Sequence, residues 1–147
     1  MKKILISILT SLLCSGAAFA QRDLNCYPVF QGKVVPDKLM VVTEVRGNSL
    51  ATYKLDYYRG ISFQVERELA EKVAESVETD AARAASAETE KVGGLLTYAL
   101  IQPQASGRSN RYLCYQARPV GQHWKVTLLY LEGPATLDDL RKMFEKQ

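Results

Sequence analysis

Apolar and polar residues recur along this chain with two different periods, which divide its second half into strands and helices. Ile61, Phe63 and Val65 alternate with Ser62 and Gln64, the pattern of a strand with one buried face. From Glu66 to Ala87 the period changes. Leu69, Val73, Val77, Ala81 and Ala84 recur at steps of four and three, with glutamates and basic residues between them, which predicts an amphipathic helix. Glu68 stands four residues before Lys72, and acidic residues crowd the first turns, where the helix dipole favours them. The charge on this helix reads as a solvated face. Leu95 to Gln102, Arg111 to Ala117 and Trp124 to Leu131 then form three strand-like runs rich in Tyr, Leu and Val, each bounded by Gly, Pro, Ser or Asn. Trp124, Val126, Leu128 and Tyr130 share one face of the last run. Gly133-Pro134 stops it, Thr136 offers a capping hydroxyl, and Leu137, Leu140 and Phe144 with Met143 make the stripe of a closing helix.

The first third is less regular. Pro28, Gly32 and Pro36 break any period between residues 21 and 39, and Val41 to Arg46 predicts a short strand closed by Gly47-Asn48. Leu50, Tyr53 and Tyr57 recur at helical spacing while Ala51, Tyr53, Leu55 and Tyr57 also alternate, and we read one short helix there. Connections of under ten residues favour an antiparallel meander, since parallel crossovers need a dozen or more. The expected fold is therefore α+β. It is an antiparallel sheet made of a C-terminal three-stranded meander and one or two N-terminal strands, with one long and one C-terminal helix packed on one face.

The first twenty residues predict export. Lys2 and Lys3 precede an apolar run from Ile4 to Leu13, and Ala18-Phe19-Ala20 places small residues where a signal peptidase reads them, so cleavage is expected between Ala20 and Gln21. A lipoprotein modified at Cys14 is the alternative, and Leu13 immediately before Cys14 argues against it. The expected organisation is a signal over residues 1–20 and one exported domain over 21–147, with no apolar segment of membrane-spanning length after Ala20. The formal net charge of the whole chain is +3. Losing Lys2 and Lys3 leaves seventeen basic against sixteen acidic residues, so no clustered charge calls for nucleic acid or anionic lipid.

Two cysteines then remain, Cys26 and Cys114. In an oxidising compartment a disulfide between them is expected; it closes a loop of nearly ninety residues and is worth about 4 to 5 kcal/mol in the chain-entropy model. Two buried, unpaired thiols are the alternative. One histidine, His123, with two distant cysteines does not supply a zinc site, and no nucleophile elbow accompanies it. Lys72 and Ser76 share a helical side, a spacing that ordinary helices show by chance. Gly93-Gly94 lacks the spacing and lysine of a phosphate loop. The sequence thus points to no catalytic residue, no metal and no cofactor.

The most suggestive local feature is Arg46, Tyr53, Lys54, Tyr57, Tyr58, Arg59 and Phe63, where aromatics alternate with cations as in grips for sugars or single strands. Core packing of half-buried tyrosines explains the same residues. Arg108 and Arg111, on the connection around residues 104–110, are further candidate contacts.

Val45-Arg46-Gly47, Tyr53-Lys54-Leu55, Tyr57-Tyr58-Arg59, Leu96-Thr97-Tyr98, Asn110 to Tyr115 and Val126 to Gly133 together resemble a family of uncharacterised exported proteins from the Bacteroidetes. The resemblance implies a periplasmic or outer-surface protein of a Gram-negative cell and brings no activity with it. The expectation is a non-enzymatic binding or accessory protein whose sheet or Tyr/Arg segment contacts an envelope component. The alternatives are an envelope-glycan enzyme using two carboxylates brought together by the fold, and a domain that self-associates through a strand edge.

Overall fold

The computed structural model describes residues 22–104 and 109–145. The export segment, the Ala20/Gln21 junction, Cys14 and Arg108 lie outside the described residues. One helical turn, α1 (Tyr27–Phe30), precedes β1 (Val41–Arg46), β2 (Tyr57–Val65), α2 (Arg67–Ala82), β3 (Ser86–Val92), β4 (Leu95–Gln102), β5 (Asn110–Val120), β6 (His123–Gly133) and α3 (Leu137–Glu145). Tight 3-10 turns at Asp37–Leu39 and Asn48–Tyr53 flank β1.

The strands form one sheet in the order β1-β2-β6-β5-β4-β3, every neighbour antiparallel. It has six strands, where the sequence predicted four or five. The extra strand, β3, occupies residues assigned to the tail of the long helix and its connection. That helix ends at Ala82, where the Arg83 N–H donates to the Asp80 carbonyl and the Ala84 N–H to the Ala81 carbonyl. Ala85 then donates its N–H to the Gln102 carbonyl and the strand begins. β3 is solvated along nearly its whole length, so no hydrophobic period marks it. Its one signal was Gly93-Gly94, both at positive φ (59° and 80°), the two-residue turn of a tight hairpin. A bulge leaves Thr97 unpaired, with its hydroxyl donating to the Glu90 carbonyl, and Lys91 pairs with Glu78 of α2 at 2.9 Å.

Period-two alternation separates two cores. On the first face, Ile61, Phe63, Val65, Leu113, Tyr115, Val126, Leu128 and Tyr130 pack under the apolar stripe of α2 (Ala70, Val73, Ala74, Val77) and under Leu24, Cys26, Val29, Phe30 and Val35 of the N-terminal segment. Asp80 holds that segment in place. Buried near the end of α2, its carboxylate accepts from the Asn25 N–H at 2.6 Å, the Asn25 amide at 3.0 Å and the Cys26 N–H at 3.0 Å.

On the second face, Leu100, Tyr112, Cys114 and Leu131 pack with Leu50, Leu55, Ala135 and Leu140. The C-terminal helix therefore covers the opposite face from α2, a correction to the expectation of both helices on one side. The cause is its short tether. Ala135 donates its N–H to the Lys54 carbonyl and Asn110 donates to the Ala135 carbonyl, pinning the chain on that side as it leaves β6. Thr136 caps α3, its Oγ1 accepting the Asp139 N–H while Asp139 accepts the Thr136 N–H.

Candidate functional site

The Tyr/Arg segment does not form one surface. Side chains of β2 alternate, so Tyr57 and Arg59 lie on the first face and Tyr58 on the second. Arg46 lies over the Tyr57 ring at 4.9 Å and pairs with Glu44 at 3.2 Å, and the Tyr57 hydroxyl donates to Glu44 at 3.3 Å. Arg59 donates to the Phe30 carbonyl at 2.9 Å, and its guanidinium sits 5.7 Å from the Phe30 ring. Arg111, only 2% exposed, donates to both oxygens of Asp23 at 3.0 and 3.1 Å. These cations are used within the molecule, Arg46 between β1 and β2, and Arg59 and Arg111 in tying the N-terminal segment to the sheet. Tyr130 and Glu132, which the sequence did not single out, belong to the same group: the Tyr130 hydroxyl donates to Glu132 at 2.9 Å, and its ring meets that of Tyr57 edge-on at 6.0 Å. Burial, then the Glu132 carboxylate, pushes the Tyr130 phenol up. Tyr53 stands apart on a 3-10 turn, 51% exposed.

Cys26 and Cys114 are free thiols. Cys26 lies in the first-face core and Cys114 in the second, with the sheet between them, which corrects the expected disulfide. Burial, then the Asp80 carboxylate, raises the Cys26 thiol. Burial alone pushes the Cys114 thiol up to about 12. Both are protonated at neutral pH and are poor nucleophiles.

Among the described residues, two of the cavities that indent the surface are large enough for a small ligand. The larger, about 530 Å³, lies at the start of α2 and is lined by Leu39, Gln64, Val65, Glu66, Glu68, Leu69, Lys72 and His123. Its two carboxylates both come from one helix turn and both residues are exposed.

The second cavity, about 420 Å³, lies on the second face and is lined by Tyr98, Leu100, Cys114, Tyr115, Gln116, Thr127 and Leu129. It exists because the second face has too little chain to cover it. The turn at Asn48–Tyr53 and α3 close one end, over Tyr112 and Leu131, and stop there. Gly60 contributes to its shape: a Cβ there would meet Leu129 Cδ2 and the Tyr58 hydroxyl, each at 2.9 Å, so the absent side chain makes room for both. Burial raises the phenols of Tyr58 and Tyr98, and the acidic residues Glu88 and Glu90 add to the effect at Tyr98. The lining contains no carboxylate and no imidazole. It offers an apolar bed edged by an amide, a threonine hydroxyl and a phenol, a combination suited to holding a ligand. Sequence reasoning missed this groove, although β5 carried a signal: from Tyr112 to Arg118 its even-numbered positions turn from apolar to polar while Leu113, Tyr115 and Ala117 stay apolar.

Among the described residues, no group of three or more His, Cys, Asp or Glu is placed to hold a metal ion, and no helix is long and apolar enough to cross a membrane. No curated protein matches the sequence. A family pattern matches residues 13–144, a span that takes in all six strands, and the chain belongs to that family of unknown function, DUF6108.

Proposed function

We propose that this protein is a non-enzymatic binding protein of the bacterial cell envelope and that its contact surface is the uncovered half of the second sheet face. The observation that carries the reading is the groove over Leu100, Cys114, Gln116, Thr127 and Leu129, a concave apolar bed with a polar margin on a rigid antiparallel sheet. The internal use of Arg46, Arg59 and Arg111 supports the sheet, rather than the Tyr/Arg segment, as the place of contact. Placement in the envelope rests on the tripartite export pattern of residues 1–20. A hydrolytic role would call for two carboxylates on either side of a cleft, whereas Glu66 and Glu68 share one helix turn.

A photo-crosslinking residue placed at Thr127 in cells tests the reading against the same residue at Glu75, on the exposed side of α2. A specific adduct at Thr127 with none at Glu75 is the expected result, and equal labelling would count against it. In the same preparation, fractionation and an N-terminus at Gln21 would support export, and an intact Met1 in the cytoplasm would overturn it.

A second reading has its own observation. β1 is an edge strand with Val41 and Val42 70% and 50% exposed, and its first half, Val41-Val42-Thr43, carries no charge, whereas Glu88, Glu90 and Lys91 line the opposite edge. Unguarded edges of this kind pair with other strands. Sizing by light scattering checks it: a dimer that Val42→Lys converts to a monomer would favour self-association, and a monomer at high concentration would exclude it.

A further inference from the structure

We propose that the groove binds a single-chain amphiphile with one anionic head, its apolar body lying against Tyr98 and Leu129 over a floor of the buried Leu100 and Cys114, and its head between Arg118 and Lys125. This deepens the binding reading above and rests on it.

The argument comes from the ladder between β5 and β6. Its register runs without a shift from Asn110↔Gly133 to Val120↔His123, so directly opposed residues share a face throughout. On the second face the successive pairs are Tyr112↔Leu131, Cys114↔Leu129, Gln116↔Thr127 and Arg118↔Lys125. The first lies under α3, the second and third line the groove, and the fourth lies beyond its polar end. Apolar surface thus passes through an amide and a hydroxyl to two cations along one straight track. From Cys114 to Arg118 the track is four residues long, about 13 Å at about 3.3 Å per residue.

The cationic pair has no internal explanation. Like charges directly opposite on one face of a sheet repel, and the side chains of Arg118 and Lys125 take part in no ion pair or hydrogen bond among the described residues. Other cations of the sheet are partnered: Arg46 and Arg59 by Glu44, Lys91 by Glu78 and Arg111 by Asp23. An anion seated between Arg118 and Lys125 would turn the repulsion into attraction. The cations set the ligand's direction. At the apolar end the neighbouring cation, Arg141 of α3, is already held by Glu88, which lies level with Leu100 and Cys114. A free phosphate or acidic peptide would use the cations but leave the apolar bed uncovered. A neutral lipid would do the reverse.

The test titrates the purified protein with decanoate and with uncharged 1-decanol, following backbone amides by NMR. Expected are shifts concentrated at residues 114–118 and 125–129, with decanoate binding about tenfold or more tighter than decanol. The double variant Arg118→Gln, Lys125→Gln should lose that advantage, bind decanol as before and keep its thermal midpoint, because Arg118 is exposed and Lys125 is half-buried. Equal binding of the two probes, or decanoate binding indifferent to the double variant, would overturn the head-group assignment and leave the groove as a neutral apolar site. Absence of shifts in both strands with either probe, or shifts confined to another part of the molecule, would overturn the groove reading as well.

Discussion

The two faces of the sheet are built from the same strands and finished differently. On the first, a sixteen-residue helix and the N-terminal segment close over the apolar rows, and buried polar groups serve to hold that cover in place. On the second, a 3-10 turn and a nine-residue helix reach across part of the surface and leave the rest as a groove. Leu128 and Leu129 show the contrast at the scale of one residue. The first is fully buried under the helix side, and the second is half-buried in the groove. A sheet whose cover is incomplete on one side has a stability face and a contact face, and adjacent residues of one strand belong to each.

Asp80→Ala tests this division most severely. It leaves two backbone N–H groups and an amide without their acceptor under the N-terminal segment. At about 1 to 3 kcal/mol for each buried unsatisfied group, a loss of about 4 kcal/mol is expected by urea unfolding, with new protease cleavage in residues 22–39. A variant within about 1 kcal/mol of wild type would mean that the first face does not depend on its strap. Next comes the neighbouring pair on β6. Leu128→Ala should cost about 3 kcal/mol, within the range for fully buried leucines, and Leu129→Ala about 1 kcal/mol or less because its site is already open. Equal costs would erase the distinction between the faces.

The third prediction concerns pH. The Cys114 thiol, ordinarily near 9.0, is pushed up to about 12 in the folded protein. Below pH 9 it is neutral in both states and contributes fully. Between pH 9 and about 12 the unfolded chain releases the proton and the folded one keeps it, so stability falls as pH rises. In that window the slope for Cys114→Ala should be shallower than for wild type by about 1.4 kcal/mol per pH unit. Parallel slopes would place the thiol in water. The smallest effect on stability is expected for Gly60→Ala, under about 1 kcal/mol, because its added Cβ meets only the ends of the Leu129 and Tyr58 side chains. Its informative readout is the groove, where amide shifts at Leu129 should accompany the displacement.

Much of the first face was legible in the sequence, because full burial writes a strict period. The three-stranded meander stands where the tyrosine- and leucine-rich runs placed it, and the stripe containing Val73 and Val77 faces the sheet; β1 also starts and ends at Val41 and Arg46 as read, although it is mostly exposed. Failures cluster where burial is partial. β3 has almost no buried position, so its backbone pairing left no trace in hydrophobicity and the helix was extended through it. Ser49 to Tyr57 carried two overlapping periods because it holds both a 3-10 turn and the first residue of β2. The side taken by α3 depended on the bonds of Ala135 and Asn110, which no periodicity encodes. The groove escaped notice because it is made from residues on β4, β5 and β6 that are far apart in sequence or unremarkable one by one. Tyr58 and Arg59 were grouped by adjacency, yet successive residues of a strand point to opposite sides.

The order β1-β2-β6-β5-β4-β3 also has a consequence in time. A ribosome delivers β1 and β2 before the rest of the sheet, and their hairpin can form from local contacts, but the other edge of β2 pairs only with β6, the last strand in sequence among the described residues. Until then β2 keeps one open row of backbone donors and acceptors, and α2 has no complete sheet to lie on. The native sheet therefore becomes available only once β6 has been made, which would suit the export proposed above.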